Sequence, residues 1–238
     1  MFNPTTLRSQ KVILIRHGVA QHNVLQEGHP PNLRDPRLLD PPLIYHGKQQ
    51  ALEAGERLRI WCRTTQLGET PELIVVSPLT RCIQTAMLAF LPGEKYTTNQ
   101  KEPTFVSTEL CREAYGMHYP DRRRDLSILQ QHWPAVQWDP SMTELDEAWQ
   151  IDVRETIPEL LQRIAQFWDF ISERPEEFVV VVTHGVWIEA CLNHYYPAAL
   201  EDGRRRVYNC DMFAVDCISE KRGGKVLRLE NAHQIESP

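Results

Sequence analysis

The chain has 238 residues, 42% of them hydrophobic and 24% charged, with a formal net charge of −6. That is the composition of an ordinary globular protein able to bury a sizeable core, which excludes a disordered class. The acidic balance provides no electrostatic footprint for nucleic acid or an anionic membrane.

At this length the chain holds one large α/β domain or two small ones, since single cores stop growing only beyond roughly 250 residues. The amino-terminal MFNPTTLRSQ lacks the apolar core of a signal peptide, and no apolar run approaches the ~18 residues of a membrane span. A cytoplasmic location, with no membrane partner, is the expectation. Cys62, Cys82, Cys111, Cys191, Cys210 and Cys217 are scattered without C-x-x-C or zinc-type spacing, so they are expected to be reduced and mostly buried.

The first predicted element is an apolar strand over 12–15 that runs directly into Arg16-His17-Gly18. The polar stretch EGHPPNLRDPRLLDPP, 27–42, follows. Its prolines exclude a central strand and a helix interior, and a long loop of this kind in a compact domain is often functional. From about Gly47, the residues Ala51, Ala54, Gly55, Leu58, Trp61 and Cys62 recur on one face of a 3.6-residue period, predicting a helix that packs on a sheet.

Residues 73–76 predict a second strand, after which Ser77 as N-cap and Pro78 as first helical residue start a helix. Ile83, Ala86, Met87 and Phe90 form its buried stripe. Arg81 in the first turn opposes the helix dipole, a mismatch that an anion at that end would remove. A short strand and turn are expected over 105–116. The segment 118–150 reads as an irregular insertion with short helices, its tryptophans forming a miniature core and Arg122 to Arg124 a solvated charge run like Arg204 to Arg206.

Ile157, Leu160, Leu161, Ile164, Phe167, Trp168 and Ile171 predict the most regular helix of the chain. A strand over 178–182 then ends in Thr183-His184-Gly185, repeating the plan of the first, and a helix over about 187–195 follows. DMFAVDCI and KVLRLE, separated by Gly223-Gly224, predict a terminal hairpin.

Alternation of strands and helices predicts a mostly parallel sheet covered on both faces. Ligands of such sheets bind beyond the carboxyl ends of the strands, where Arg16, His17, Arg81 and His184 all fall. If these strands are neighbours, spaced ~4.8 Å apart, two arginines and two histidines converge on one anion. Guanidinium forks match phosphoryl oxygens, and a neutral imidazole is a nucleophile. A phosphohistidine intermediate fits this set, with cationic side chains neutralising the oxygens that magnesium serves in other phosphoryl-transfer enzymes. No acidic metal cage is apparent.

The segments RHGVAQHN (16–23), PLIYHGKQQA (42–51), SPLTRCIQTA (77–86) and THG (183–185) resemble, in order and spacing, the histidine phosphatase superfamily, with its phosphoglycerate-mutase-like fold. CREAYGMHYPDRRR further resembles a fungal and plant phosphoglycerate-mutase-like phosphatase subgroup. The resemblance implies one three-layer α/β/α domain over 1–238 with a mostly parallel central sheet. It implies hydrolysis of a small phosphorylated molecule with no metal or other cofactor.

In that likeness His17 is the phosphorylated nucleophile, and Arg16, Asn23, Arg81, His184 and Gly185 form the phosphate pocket. An acidic residue protonates the leaving oxygen and then activates water. Glu113 is the choice, although it lies three residues before Gly116 rather than four, with Glu109 and Asp121 as fallbacks. Ala20 stands where many relatives have serine or threonine. The remaining histidines are expected to be structural. Mutases of the family tend to follow the second His-Gly with Asn-Ser-Leu-Arg, whereas HGVWIEA stands here, which favours hydrolysis over a phosphoglycerate mutase. A non-catalytic phospho-ligand binder ranks below both.

Overall fold

The structure, a computed structural model, describes residues 7–26, 28–65, 67, 70–91, 102–196, 206–220 and 226–236. The elements in chain order are β1 (Leu7–Arg16), α1 (Tyr45–Thr65), β2 (Leu73–Val76), α2 (Thr80–Phe90), β3 (Thr104–Ser107), α3 (Leu126–His132), β4 (Val136–Trp138), α4 (Ile157–Glu173), β5 (Phe178–Thr183), α5 (Gly185–Tyr195), β6 (Met212–Glu220) and β7 (Val226–Gln234). They form one seven-stranded sheet in the order β4-β3-β2-β5-β1-β6-β7. The strands from β4 to β1 are parallel, and β6 and β7 add antiparallel at the other edge.

The central strands β1, β2 and β5 read as unbroken apolar runs because both of their faces are covered. Ile13, Ile15, Ile74, Val76, Val180 and Val182 pack with Leu58 and Cys62 of α1 and Ile83, Ala86 and Phe90 of α2. The alternate residues Val12, Leu14, Leu73, Val75, Val179 and Val181 pack with Leu160, Ile164, Phe167 and Trp168 of α4 and Trp187 and Ile188 of α5. The period of two in the strands thus divides the core into two layers, giving the three-layer α/β/α sandwich. On the α4/α5 side, Phe167 and Trp187 meet edge to face at 5.0 Å between ring centroids.

The order β2-β5-β1 decides where chemistry gathers. In the sheet register Arg16 lies opposite Thr183, and Val76 opposite Val182, so the ends that carry His17, His184 and the entry to α2 are adjacent. The chain leaving β1 is wedged against α1, where a Cβ on Gly47 would stand 2.0 Å from the Val19 carbonyl oxygen. Only a glycine lets the helix backbone approach that closely.

Several expectations are corrected. The second helix begins at Thr80, with Leu79 as its extended boundary residue, and not at Pro78. The buried Asp40 carboxylate accepts from the Thr80 N–H at 2.7 Å, and the Ser77 hydroxyl is instead 2.8 Å from His184 Nε2. Asp40 is therefore an anion at the helix start that Arg81 otherwise opposes. The 118–150 segment contributes an edge strand, β4, paired with β3. Its tryptophans form no miniature core: Trp133 and Trp138 pack on the main core, and Trp149 lies 4.9 Å from the Tyr119 ring.

Within the arginine run, Arg123 is 3% exposed, its guanidinium donating to Glu109 and to the Arg124, Thr143, Glu144 and Leu145 carbonyls. It ties the segment to itself and is no solvated face. Ile157, placed on the buried stripe of α4, is 53% exposed in the first turn of the helix. Arg206 is exposed, and Arg204, Arg205 and the Gly223-Gly224 turn lie outside the described residues. The six cysteines are free and buried. No helix of the described residues is long and apolar enough to cross a membrane.

Candidate active site

The turn after β1 fixes His17 from both ends of its ring. Nδ1 lies 2.7 Å from the carbonyl oxygen of Gly18, and Nε2 accepts from Arg81 Nε at 3.2 Å. A carbonyl can only accept, so Nδ1 carries the proton and Nε2 keeps its lone pair. The ring is 2% exposed. Burial, followed by the charges of Arg81 and Arg16, holds its pKa well below the ordinary 6.5. The imidazole is neutral and its nitrogen lone pair is available at physiological pH.

Arg81 organises the rest. Its Nη2 donates to Asp121 Oδ1 at 2.9 Å and lies 3.2 Å from His184 Nδ1, and its Nη1 donates to the Pro120 carbonyl. The guanidinium is 1% exposed and bridges both histidines. His184 is fully buried, its ring 5.2 Å from that of His17, and burial and then Arg81 push its pKa far down as well. Arg16 donates from Nη1 to the Val207 carbonyl at 2.6 Å, while its buried Nε has no partner among the described residues. A Cβ on Gly185 would stand 3.3 Å from that Nε, so the glycine is the floor on which Arg16 lies.

The three carboxylates considered from the sequence occupy different settings. Glu109 is ion-paired with Arg112 and Arg123 at 2.7 and 2.5 Å. Asp121 bridges Arg81 and Arg154, at 2.9 and 2.7 Å. Burial alone would raise its pKa, but hydrogen bonding from His118 and the charges of Arg81 and Arg154 outweigh it and hold the carboxyl below its usual range. Among the described residues the Glu113 carboxylate accepts from backbone alone, the Ala114 N–H at 3.0 Å and the Val186 N–H at 3.3 Å. Burial, reinforced by the negative charge of Asp121, raises its pKa.

Arg112, four residues before Gly116, is fully buried. It is bound to Glu109, Asp146 and the Asp121 carbonyl, and so fastens the 118–150 segment beneath the site. Asn23 spends its amide locally: Oδ1 accepts from Ala20 N–H at 3.0 Å, and Nδ2 lies 3.1 Å from His22 Nε2.

The structure thus brings Arg16, His17, Arg81, His184, Glu113 and Gly185 to one end of the sheet, and turns the Asn23 amide toward its neighbours in the chain. Sequence reasoning missed His22, whose ring is 5.9 Å from that of His17, and the anchoring part of Asp121 and Arg154. His22 was visible as a second histidine inside the RHGVAQHN segment. The Asp121–Arg154 pair carries no local pattern. Among the described residues no group of three or more His, Cys, Asp or Glu could hold a metal ion.

Two buried neutral histidines crossed by an arginine at the carboxyl ends of parallel strands form a pocket whose donors suit a phosphoryl group. The family model described as Histidine phosphatase superfamily (branch 1) matches residues 12–232, and the chain belongs to that superfamily. It is 30% identical over 228 residues to the Phosphoglycerate mutase-like protein 1 of Arabidopsis thaliana, an alignment covering 87% of this chain and 78% of the relative. Among solved structures, the fold matches a phosphoglycerate mutase from Bacillus anthracis with a TM-score of 0.57 at 18% identity, over 94% of this chain and 96% of that one. It also matches a mycobacterial glucosyl-3-phosphoglycerate phosphatase with a TM-score of 0.54 at 19% identity, over 94% and 97%. The chain is accordingly an enzyme of the phosphatase and phosphotransferase class.

Proposed function

We propose that the protein is a metal-independent phosphatase that hydrolyses a phosphate monoester through a phosphohistidine on His17. The observation that carries this reading is the His17 ring itself, neutral, with Nδ1–H held by the Gly18 carbonyl and the Nε2 lone pair facing Arg81.

Nε2 attacks phosphorus, the phosphorus–oxygen bond to the leaving group breaks, and the departing oxygen takes a proton from Glu113. Water then attacks the phosphohistidine, giving its proton to the Glu113 carboxylate as the nitrogen–phosphorus bond breaks. Glu113 suits the part because its pKa is raised, whereas Glu109 and Asp121 are engaged in ion pairs. Arg16, Arg81 and His184 hold the phosphoryl oxygens. In the ligand-free geometry Arg81 donates to the two histidines, and those same N–H groups turn to phosphoryl oxygen when substrate enters. The charge that develops is met by fixed guanidinium groups, the role of preorganised electrostatics.

Hydrolysis is preferred to isomerisation because Val186, Trp187, Ile188 and Glu189 follow Gly185. Trp187 and Ile188 are fully buried core residues of α5, and no arginine is offered there to a second acidic group of a phosphoglycerate. The test is turnover on a panel of phosphate esters with orthovanadate and EDTA as arms. Phosphate release inhibited competitively by vanadate and indifferent to EDTA is expected. Loss of activity in EDTA restored by one divalent metal, or isomerisation of 3-phosphoglycerate well ahead of phosphate release, would overturn the reading.

A further inference from the structure

His22 lies outside the set of residues that the superfamily motifs bring to the phosphate, yet two linked contacts fix its state. The backbone N–H of Ala20 donates to Asn23 Oδ1, which settles which end of the Asn23 amide is nitrogen. Asn23 Nδ2 lies 3.1 Å from His22 Nε2. An amide nitrogen can only donate, so His22 Nε2 must accept and the ring proton must sit on Nδ1. Burial, and then the charge of Arg81, lowers its pKa to about 3, so the ring is neutral.

The consequence is an N–H donor in an unusual position. His22 Nδ1 is a buried atom with no hydrogen-bond partner among the described residues, and a buried donor left unsatisfied is unfavourable. The groups whose charges act most on the ring are Arg81, Asp121, Arg16 and His118, and its centroid is 5.9 Å from that of His17. The donor therefore stands in the pocket that receives the anion, aligned by Asn23, whose Oδ1 at the same time caps the turn Gln21–Asn23.

We infer that His22 is a further substrate-binding residue, donating its Nδ1–H to a non-bridging oxygen of the phosphoryl group, and that Asn23 is the positioning residue that sets its tautomer. The inference rests on the reading of this pocket as a phosphoryl site. A neutral donor adds a directed hydrogen bond without adding, beside Arg16 and Arg81, another positive charge that would depress the basicity of His17 further. Asn23 then serves the phosphate through His22 and not by its own amide.

The test compares three variants by orthovanadate affinity and by kcat/KM on one aryl phosphate. Asparagine places its amide nitrogen near the position of histidine Nδ1, glutamine near that of Nε2, and leucine has no donor. His22→Asn should stay within about 3-fold of wild type, while His22→Gln and His22→Leu should lose about 10-fold in both quantities, the size of one hydrogen bond. The loss should be the same at every pH from about 6 to about 8, because a ring with a pKa near 3 does not titrate there.

A residue that merely packs would give the opposite order, with His22→Gln, which keeps the link to Asn23, the milder change. That result would overturn the inference. Should the variants fail to fold, wild-type protein labelled with ¹⁵N-histidine answers the same question. Vanadate should shift the His22 Nδ1 resonance while Nε2 remains the unprotonated nitrogen, and an unmoved Nδ1 would contradict the proposal. Failure of wild-type protein to bind vanadate at all would instead sink the phosphoryl reading of the pocket, which separates the two claims.

Discussion

Acidification should destabilise the ligand-free protein by an amount set by the buried histidines. His17, His22 and His184 all have folded-state pKa values below the ordinary 6.5. For such a group the unfolded chain binds the proton and the folded chain does not. Stability is therefore intact above about pH 6.5 and is lost as the pH falls beneath it. For His22, whose pKa is about 3, the contribution is RT ln(1 + 10^(6.5 − pH)), so lowering the pH from about 7.5 to about 5.5 removes about 1.4 kcal/mol, and His17 and His184 act in the same direction.

Glu113, Asp40 and Asp211 are shifted upward by burial and pull the other way, since the folded state then binds the extra protons. Comparison with variants removes their share. Urea unfolding of wild type and His22→Asn at both pH values should show the variant losing about 1.4 kcal/mol less than wild type. Equal losses in the two proteins would mean that His22 is protonated in the fold, and the argument for its tautomer would fail with it.

Four further outcomes are expected. Glu113→Gln should slow hydrolysis of an alkyl phosphate by ~10²–10⁴ and phosphorylation by an aryl phosphate far less, leaving a fast burst and a slow steady state with the aryl substrate. If both steps survive and Asp121→Asn shows that pattern instead, the acid has been misassigned. Asp121→Asn removes one side of the buried pair with Arg81, 1% and 7% exposed at the two side chains. It should cost about 3–5 kcal/mol in unfolding free energy, and it should lower the Glu113 pKa because the Asp121 charge helps to raise it, visible as a downward shift of the alkaline limb of kcat/KM. Gly185→Ala puts a methyl group 3.3 Å from Arg16 Nε. It should weaken vanadate binding while leaving the denaturation midpoint within a few degrees of wild type. Incubation with 3-phosphoglycerate and catalytic 2,3-bisphosphoglycerate should yield phosphate and little 2-phosphoglycerate, measured by ³¹P NMR.

The two strands ending in His-Gly were legible because buried parallel strands leave an unbroken apolar run and the polar residues after them stand out. The helices α1 and α4 were legible through their 3.6-residue stripes. What escaped depends on partners distant in the chain. Ser77 has the local look of a helix cap, yet Asp40, 40 residues away from Thr80, takes that part and frees Ser77 for His184. Arg123 sits in a run of three arginines that reads as solvated, and only the return of 143–145 over it shows it buried. Strand β4 is three residues long, too short for any period. At the site itself, residue type singled out His17, His184 and the arginines, while the different settings of Glu109, Glu113 and Asp121, the first and last of them paired with arginines, are a property of the fold alone.

The central claim is covalent chemistry at His17, and mass measurement of the intact protein addresses it most directly. Brief exposure to an aryl phosphate, with the quench kept alkaline because phosphohistidine is destroyed by acid, should add one phosphoryl group to Glu113→Gln protein, in which dephosphorylation is slow. Digestion under the same alkaline conditions should place it within the peptide that carries His17. The double variant with His17→Ala should gain no mass. A phosphoryl adduct that persists when His17 is absent, or turnover by His17→Ala at the wild-type rate, would contradict the account.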